Sequence, residues 1–258
     1  MQHHAPRKRF GQNFLSDDHI IAKIVASISP QKKQVLIEIG PGQGALTLPL
    51  LQQIDTLTAI EIDRDLIALL QQKSDASRLN IIAQDVLKVD FRNIYTEKQQ
   101  KLRIIGNLPY NISTPLLFHL LKDADIISDM HFMLQKEVVD RMSAVPGNKD
   151  YGRLTVMIQY FCEVQKLFDV PPHAFYPAPK VTSAIVRLTP HQHLPNIAHD
   201  HTRFRDMVRD AFNQRRKTLQ NSLKHYFDAA VWPSDIDPKA RPETLSVAQF
   251  VRLANASL

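Results

Sequence analysis

The chain contains one cysteine, Cys162, among its 258 residues, so an internal disulfide bond is excluded. No apolar run approaches the ~18 residues that a membrane-spanning helix needs. The basic N-terminus is not followed by an apolar segment, so we expect no secretory signal and a cytoplasmic location. We find no internal repeats and no low-complexity tract. The length therefore suits one large domain, alone or with a small one.

Metal ligands are also scarce. Four histidines follow Pro190 in a polar stretch, at positions 191, 193, 199 and 201, but no cysteine or ordered ligand spacing accompanies them. We therefore predict no metal site, and we interpret the stretch as a domain linker. The predicted organisation is a main domain at residues 1–190 and a small helical domain at 191–258.

Acidic residues are fewer than basic ones: the chain has 26 Asp and Glu and 32 Lys and Arg, giving a net charge of +6. Many of the basic residues lie in two clusters. One cluster is Arg7, Lys8 and Arg9; the other comprises Arg203, Arg205, Arg209, Arg215, Arg216, Lys217 and Lys224. Two basic clusters favour a polyanionic partner, although a solvated helix face has the same composition.

Glycine is rare as well, with seven in the chain, and three of them lie within residues 40–44. This loop follows an apolar strand at 35–39 and precedes a helix at 45–51, which is typical of a nucleotide-binding α/β sheet. Gly40, Gly42 and Ala45 fit the dinucleotide pattern G-x-G-x-x-A. Gly44, which extends the pattern to G-x-G-x-G, and the acidic Glu38 instead favour a cationic ligand without phosphates. The loop as a whole indicates an adenosine-containing cofactor without identifying which one.

Two acidic residues follow the next two predicted strands. Glu61 lies near the carboxyl end of the predicted strand 57–63, about twenty residues past the glycine loop. A carboxylate in this position can bind both ribose hydroxyls. Asp85 follows the strand at 79–83 and can accept a hydrogen bond from an adenine amino group, with Val86 packed on the ring. An ordinary strand-end carboxylate and a turn aspartate remain the alternatives.

The fourth strand, 102–106, runs into Asn107-Leu108-Pro109-Tyr110. The Asn107 side chain offers an acceptor, and Pro109 restricts Leu108 so that the Leu108 carbonyl has a set direction. Tyr110 offers a face for a planar ring. The motif predicts a holder for the exocyclic amine of an aromatic base, with Phe175 of the proline-rich connector 171–180 opposite Tyr110. A loop with a core tyrosine is the alternative.

The remaining pattern predicts further elements of an α/β sheet. Ser16 is predicted to cap a helix with apolar residues spaced from 20 to 28. A strand at 130–135 precedes helices at 136–143 and 151–162, strands at 164–168 and 181–188, and short helices after residue 203.

Seven motifs together resemble one family, the ribosomal RNA adenine N6-dimethyltransferases, and among them the bacterial small-subunit enzymes. They are residues 10–15 (FGQNFL), 38–44 (EIGPGQG), 61–63 (EID), 85–87 (DVL), 107–113 (NLPYNIS), 175–183 (FYPAPKVTS) and 212–217 (FNQRRK). The resemblance spans nearly the whole chain. It implies a Rossmann-like class I methyltransferase sheet, mostly parallel with one antiparallel strand, and a small C-terminal helical domain for RNA or ribosome binding.

The resemblance also implies S-adenosylmethionine as methyl donor and a set of site residues. The implied cofactor residues are Asn13, Leu15, Gly40, Gly42, Glu61, Ile62, Asp85, Val86 and Asn107. The implied catalytic residues are Asn107, Leu108, Pro109, Tyr110 and Phe175, and the implied RNA-binding residues are Arg7, Lys8, Arg9, Gln12, Arg215, Arg216 and Lys217.

The family's substrate is a pair of adjacent adenines in a hairpin loop near the 3′ end of small-subunit ribosomal RNA. Each adenine receives two methyl groups within a late small-subunit (30S) assembly particle, and we expect a monomer with a role in subunit biogenesis. Three rivals stay open: a large-subunit methyltransferase of the antibiotic-resistance type, a dinucleotide-dependent dehydrogenase, and a non-catalytic RNA-binding assembly factor.

Overall fold

A computed structural model describes residues 13–109, 112–214, 217–227 and 232–257. Its strands are β1 (Phe14–Leu15), β2 (Val35–Ile39), β3 (Leu57–Glu61), β4 (Leu79–Ala83), β5 (Leu102–Asn107), β6 (Ile127–Gln135), β7 (Cys162–Val170), β8 (Phe175–Tyr176) and β9 (Ser183–Pro190). Its helices are α1 (Asp18–Ile28), α2 (Thr47–Leu51), α3 (Arg64–Lys73), α4 (Phe91–Lys98), α5 (Ser113–Leu121), α6 (Lys136–Met142), α7 (Arg153–Phe161), α8 (His201–Asn213), α9 (Leu219–Ser222) and α10 (Val247–Ala256).

The described residues form two compact units. The first contains the residues through Val139 and Gln165–Pro190, and the second contains Asp140–Val164 with the residues from His191 onward. Residues 140–164, which the sequence groups with the main domain, thus cluster with the C-terminal unit. The assignment of separate functions to residues 1–190 and 191–258 stays a prediction.

The first unit is built on a seven-stranded sheet in the order β4-β3-β2-β5-β6-β9-β7. The pairs from β4 through β6 are parallel, and β6 pairs with β9 antiparallel. This confirms the predicted α/β sheet with its antiparallel strand. The strand order reverses between β2 and β5, and the crevice outside the carboxyl ends of the strands at such a reversal is where open α/β sheets bind ligands.

The central strands are apolar along their whole length because both faces of the sheet are covered. In β2, Leu36, Ile37 and Ile39 are buried, and in β3 Leu57 and Ala59 are buried. A parallel strand of this kind has no solvent-facing side, so polar residues within it are exceptional. Any carboxylate in these strands therefore needs a specific explanation.

One glycine fixes the separation of β2 and β5 at their carboxyl ends. Ile39 of β2 lies opposite Gly106 of β5 in the parallel register. A Cβ atom on Gly106 would lie 2.6 Å from the Ile39 carbonyl oxygen, a distance that real Cβ atoms do not adopt. The absence of a side chain at Gly106 therefore brings the loop after β2 close to Asn107.

A two-stranded ribbon, β1 with β8, lies apart from the main sheet in strand order. The pairing is antiparallel, with Phe14 opposite Tyr176 and Leu15 opposite Phe175. The Ser16 backbone N–H donates to the Ala174 carbonyl at 2.9 Å and continues the connection. The sequence did not predict this ribbon, which ties the start of the described chain to the proline-rich connector.

The predicted cap of α1 is wrong by one residue. Asp17 is the N-cap, and its Oδ1 accepts from the backbone N–H groups of His19 (3.0 Å) and Ile20 (3.1 Å). Ser16 is engaged with Ala174 instead. Serine and aspartate are comparable caps, and the long-range bond of Ser16 decides between them.

The second unit is helical apart from the start of β7. In α8 the apolar residues Phe204, Met207, Val208 and Ala211 recur at helical spacing and are buried. Phe250 of α10 is fully buried as well. Within the described ranges, every helix is too short or too polar to cross a lipid bilayer.

Candidate active site

A cavity of about 270 Å³ lies in the first unit, at the carboxyl ends of β2, β3, β4 and β5. All of the described cofactor residues predicted from the sequence line it. The lining comprises Asn13, Phe14, Leu15, Glu38, Ile39, Gly40, Pro41, Gly42, Gln43, Ala45, Leu46, Ile60, Glu61, Ile62, Leu66, Gln84, Asp85, Val86, Asn107, Leu108, Pro109 and Ile112. The sequence patterns that are far apart in the chain therefore converge on one site.

The glycine loop after β2 forms one wall of the cavity. Gly40 and Gly42 have φ angles of +64° and +59°, which residues other than glycine rarely adopt. The Gly40 N–H donates to the Ile60 carbonyl at 2.9 Å and anchors the loop to β3. A Cβ atom on Gly42 would lie 3.3 Å from the Phe14 ring, so the bare backbone leaves room for that ring.

Glu61 ends β3 with one carboxylate oxygen fixed by the backbone. Its Oε1 accepts hydrogen bonds from the N–H groups of Ile62 (2.8 Å) and Asp63 (2.9 Å). Burial raises the pKa of Glu61, and these backbone donors oppose the rise. A carboxylate oriented in this way suits the vicinal hydroxyls of a ribose, and the neighbouring Ile62 offers a half-exposed apolar surface.

Asp85 caps a short helix and also lines the cavity. Its Oδ1 accepts from the Leu87 backbone N–H at 3.0 Å and caps a short 3₁₀ helix at Val86–Lys88. The turn that the sequence offered as an alternative is therefore present. Asp85 also lines the cavity, beside the buried Val86.

Asn107 is the last residue of β5 and faces the glycine loop. Its Nδ2 donates to the Asn13 carbonyl at 3.2 Å, so the amide is oriented with Oδ1 as the remaining acceptor. The Leu108 N–H donates to the Met133 carbonyl at 3.2 Å, and the Leu108 side chain is buried. The corner is thus held by both neighbouring strands and by the N-terminal segment.

Glu38 is a cavity residue that the predicted site set omitted. It is 2% exposed in the middle of β2, and Thr47 Oγ1 donates to its Oε2 at 2.7 Å. Burial raises the pKa of Glu38 to about 7, against the hydrogen bond from Thr47. The available signal in the sequence was an acidic residue inside an apolar strand before a glycine loop. Three further residues that line the cavity gave no comparable signal in the sequence: Phe14, Gln84 and Ile112.

Tyr110 and Phe175 are the two residues predicted to stack on the target base. Tyr110 lies outside the described residues. Phe175 is 4% exposed, packs in the hydrophobic core beside Leu15 and does not line this cavity. Its predicted place opposite Tyr110 stays a prediction. Since successive strand residues point to opposite faces, burial of Phe175 leaves its neighbour Tyr176 outward, at 72% exposure.

The predicted RNA-binding residues Arg7, Lys8, Arg9, Gln12, Arg215 and Arg216 lie outside the described residues, and Lys217 is exposed. In α8 the positive charge is partly neutralised within the helix: Arg209 pairs with Asp210 at 2.8 Å, and Arg205 pairs with Asp206 at 3.3 Å. Among the described residues, no group of three or more His, Cys, Asp or Glu is arranged to hold a metal ion.

Comparison with known sequences gives close matches over the whole chain. The family model "Ribosomal RNA adenine dimethylase" matches residues 3–257. "Ribosomal RNA small subunit methyltransferase A" of Acinetobacter baylyi is 55% identical over 254 residues, which covers 98% of this chain and 92% of that protein. The protein of the same name from Chromohalobacter salexigens is 56% identical, with coverage of 98% and 91%.

Two solved structures share the fold over almost the full length. A dimethyladenosine transferase from Plasmodium falciparum superposes with a TM-score of 0.76 at 26% identity, covering 93% of this chain and 95% of that one. The 23S rRNA methyltransferase ErmE superposes with a TM-score of 0.73 at 25% identity, covering 95% and 99%. Both matches include the sheet on which the cavity is built.

Proposed function

The chain belongs to the ribosomal RNA adenine dimethylase family and is an S-adenosylmethionine-dependent rRNA adenine dimethyltransferase, and on that premise we propose its target. The target is the N6 amino group of two adjacent adenines in the hairpin loop near the 3′ end of small-subunit rRNA. The protein acts as a monomer on a 30S assembly particle in the cytoplasm. The relatives named for the small subunit are 55–56% identical, against 25% for the 23S enzyme, which supports this choice.

The cavity residues fit the cofactor by their chemistry. Glu61 has one oxygen fixed by backbone N–H groups and uses the other for the ribose hydroxyls. Asp85 accepts from the adenine amino group, with Ile62 and Val86 against the ring. Asn13 and Leu15 close over the bound molecule, and Gly40 and Gly42 line it. When bound, S-adenosylmethionine supplies an electrophilic methyl group on a sulfonium.

The observation that carries the proposal is the Asn107 corner facing the glycine loop within one cavity. Adenine N6 is a poor nucleophile because its lone pair is delocalised into the ring. Asn107 Oδ1 and the Leu108 carbonyl accept hydrogen bonds from this amino group and favour the geometry in which positive charge develops on nitrogen. Acceptors placed in advance lower the barrier electrostatically.

The corner needs no strong base, since the N6 proton becomes acidic once nitrogen carries positive charge. The target adenine must leave its stack to reach Asn107, and Tyr110 is proposed to compensate by stacking on the extruded ring. Pro109 keeps the corner rigid, so the amino group is held in line for transfer. The basic residues 7–9 and 215–217 are proposed to bind the RNA backbone.

The proposal is tested by incubating the protein with unmodified small-subunit particles and methyl-labelled cofactor, then mapping the modified adenines. Label is expected as dimethyladenine at two adjacent positions of the 3′-terminal hairpin. Large-subunit particles in a parallel arm test the rival substrate, and the Asn107→Ala variant gives the background. Label confined to the large-subunit arm, or elsewhere in the small-subunit RNA, would contradict the proposed target.

A further inference from the structure

The exposed ring of Tyr176 has no assigned role. Tyr176 is 72% exposed and is the most exposed of the large apolar side chains in the described residues. It lies in β8, opposite Phe14 of β1 in the antiparallel register. An aromatic ring in solvent has a face available for stacking on a planar ligand.

The ribbon pairs Tyr176 with a residue that lines the active-site cavity. Side chains of directly opposite residues in an antiparallel pair lie on the same face with Cβ atoms about 4.5–5.5 Å apart. Phe14, the partner of Tyr176, lines the cavity and packs over Gly42. The residue before Phe14, Asn13, supplies the carbonyl that orients Asn107. Tyr176 is therefore one cross-strand pair away from the cavity wall.

The backbone that carries Tyr176 is restrained. Phe175 anchors one side in the core, the pairing with β1 holds the strand, and Pro177 follows immediately with a fixed φ. The backbone at Tyr176 thus has little conformational entropy left to lose on binding. The same exposed stretch carries Lys180, a cation suited to a backbone phosphate.

We propose that Tyr176 is a specificity-determining residue that stacks on the nucleotide next to the target adenine. The inference rests on the proposed function. A base that leaves its stack to reach Asn107 strips its neighbour of one stacking partner, and the exposed ring of Tyr176, one cross-strand pair from the cavity wall, replaces that partner. Stacking on an aromatic side chain is the usual way in which proteins hold unpaired bases.

The test compares Tyr176→Ala, Tyr176→Leu and Tyr176→Phe with the unaltered protein on unmodified small-subunit particles. Leucine keeps apolar area but has no aromatic face, and phenylalanine keeps the face. We expect KM for the particle to rise about tenfold in the Ala and Leu variants, within the range for one stacked base, with kcat less affected. The Phe variant should stay within about twofold of the unaltered protein.

Calorimetry with S-adenosylhomocysteine separates this role from support of the cofactor pocket, and its affinity should be unchanged in all three variants. A second readout uses an RNA hairpin with 2-aminopurine beside the target adenine. Its fluorescence should be quenched by the unaltered protein and by Tyr176→Phe, but not by Tyr176→Leu.

The outcomes distinguish the two levels of inference. If the unaltered protein fails to methylate the 3′-terminal hairpin, the proposed function is contradicted. If it methylates normally and Tyr176→Leu has the same KM, the stacking role alone is overturned. A loss shared by Tyr176→Phe, or a matching loss of S-adenosylhomocysteine affinity, would also overturn it, because hydroxyl contacts or pocket support would then explain the effect.

Discussion

In the proposed mechanism Asn107 has two hydrogen-bonding tasks, one for each atom of its side-chain amide. Nδ2 donates to the Asn13 carbonyl, and Oδ1 is the atom proposed to accept from the substrate amine. The first prediction is that Asn107→Ala lowers kcat about 10²–10³-fold, the range for removal of one preorganised polar group. S-adenosylhomocysteine affinity should fall far less. Methyl-transfer assays and calorimetry on the same preparations measure both quantities.

A matched control is Asn80→Ala, because Asn80 is an exposed asparagine of β4 that does not line the cavity. This variant should keep both the transfer rate and the affinity. Near-normal turnover in Asn107→Ala would show that the corner does not act on the reacting amine.

Glu38 gives a prediction on pH and stability. Its folded-state pKa, about 7, lies above its ordinary value of 4.5 because the carboxyl is buried. Between those pH values the unfolded chain releases this proton while the folded chain keeps it, so stability falls as pH rises through the window. Relative to Glu38→Gln, the protein should lose up to about 3 kcal/mol between pH 4.5 and 7. Urea unfolding of both proteins without ligand measures the difference.

Thr47→Val provides the comparison for Glu38. In the unaltered protein the Thr47 hydroxyl donates to Glu38 Oε2, and this hydrogen bond lowers the Glu38 pKa. The valine variant removes that hydroxyl. The pKa should then rise further, and the pH window of stability loss should extend upward. A stability difference between Glu38→Gln and the unaltered protein that stays constant from pH 5 to 8 would show that Glu38 is not titrating there.

At the level of elements, local pattern was enough for the central sheet. The apolar runs of β2 and β3, and the loops after β2 and β5, could be located from sequence because each signal is contiguous. The strand bounds 57–63 extended past the observed end of β3 at Glu61. Polar residues after a strand gave no sign of where backbone pairing stops.

The β1–β8 ribbon could not be predicted, because it joins residues about 160 positions apart through only two residue pairs. That pairing, which the sequence did not predict, decides which aromatic of Phe175 and Tyr176 is buried. The N-cap error at Ser16 has the same origin, since Ala174 takes its hydrogen bonds. Long-range pairing, rather than propensity, limited the site prediction.

The junction of β2 and β5 gives an element-level prediction. Gly106→Ala places a methyl group 2.6 Å from the Ile39 carbonyl oxygen, which is backbone within the sheet and cannot move aside as a side chain can. The two strands must separate where the glycine loop meets Asn107. We expect a loss of about 1–3 kcal/mol in unfolding free energy, and a loss of methyl transfer larger than the loss of folded protein. Chemical unfolding and transfer assays measure the two effects.

Gly152→Ala is the control, because a Cβ atom there meets nothing within 4 Å and the residue does not lie in the left-handed region. Its effect should be limited to a weaker helix cap, of roughly 0.5–1 kcal/mol, with activity retained. Equal losses in the two variants would mean that strand separation does not account for the loss at Gly106, since the entropy change of a glycine-to-alanine substitution is itself stabilising.

For the whole molecule, the distribution of charge matters more than its sum. The chain carries +6 overall, yet in α8 two arginines are paired with aspartates of the same helix. An arginine paired with an aspartate adds nothing to the net charge of the pair, and it is less free to replace counterions on a phosphate backbone. The sequence places Arg205 and Arg209 in the same basic cluster as Arg215, Arg216 and Lys217, and the structure shows that Arg205 and Arg209 are ion-paired.

This division leads to a prediction on salt dependence. Replacing Arg215, Arg216 and Lys217 with alanine should weaken binding to small-subunit particles and reduce the slope of log affinity against log salt by about 2, since each phosphate contact contributes about 0.7–0.9. Filter binding over a range of potassium concentrations measures the slope. The control replaces Arg205, Arg209 and Arg252, three exposed arginines that pair with Asp206, Asp210 and Asp235.

Both triple variants remove three positive charges, so a general effect of net charge would change the two slopes equally. A change confined to the first variant identifies residues 215–217 as phosphate contacts. If the first variant keeps the original slope, those residues lie outside the RNA interface, and the basic N-terminal residues 7–9 become the next group to replace.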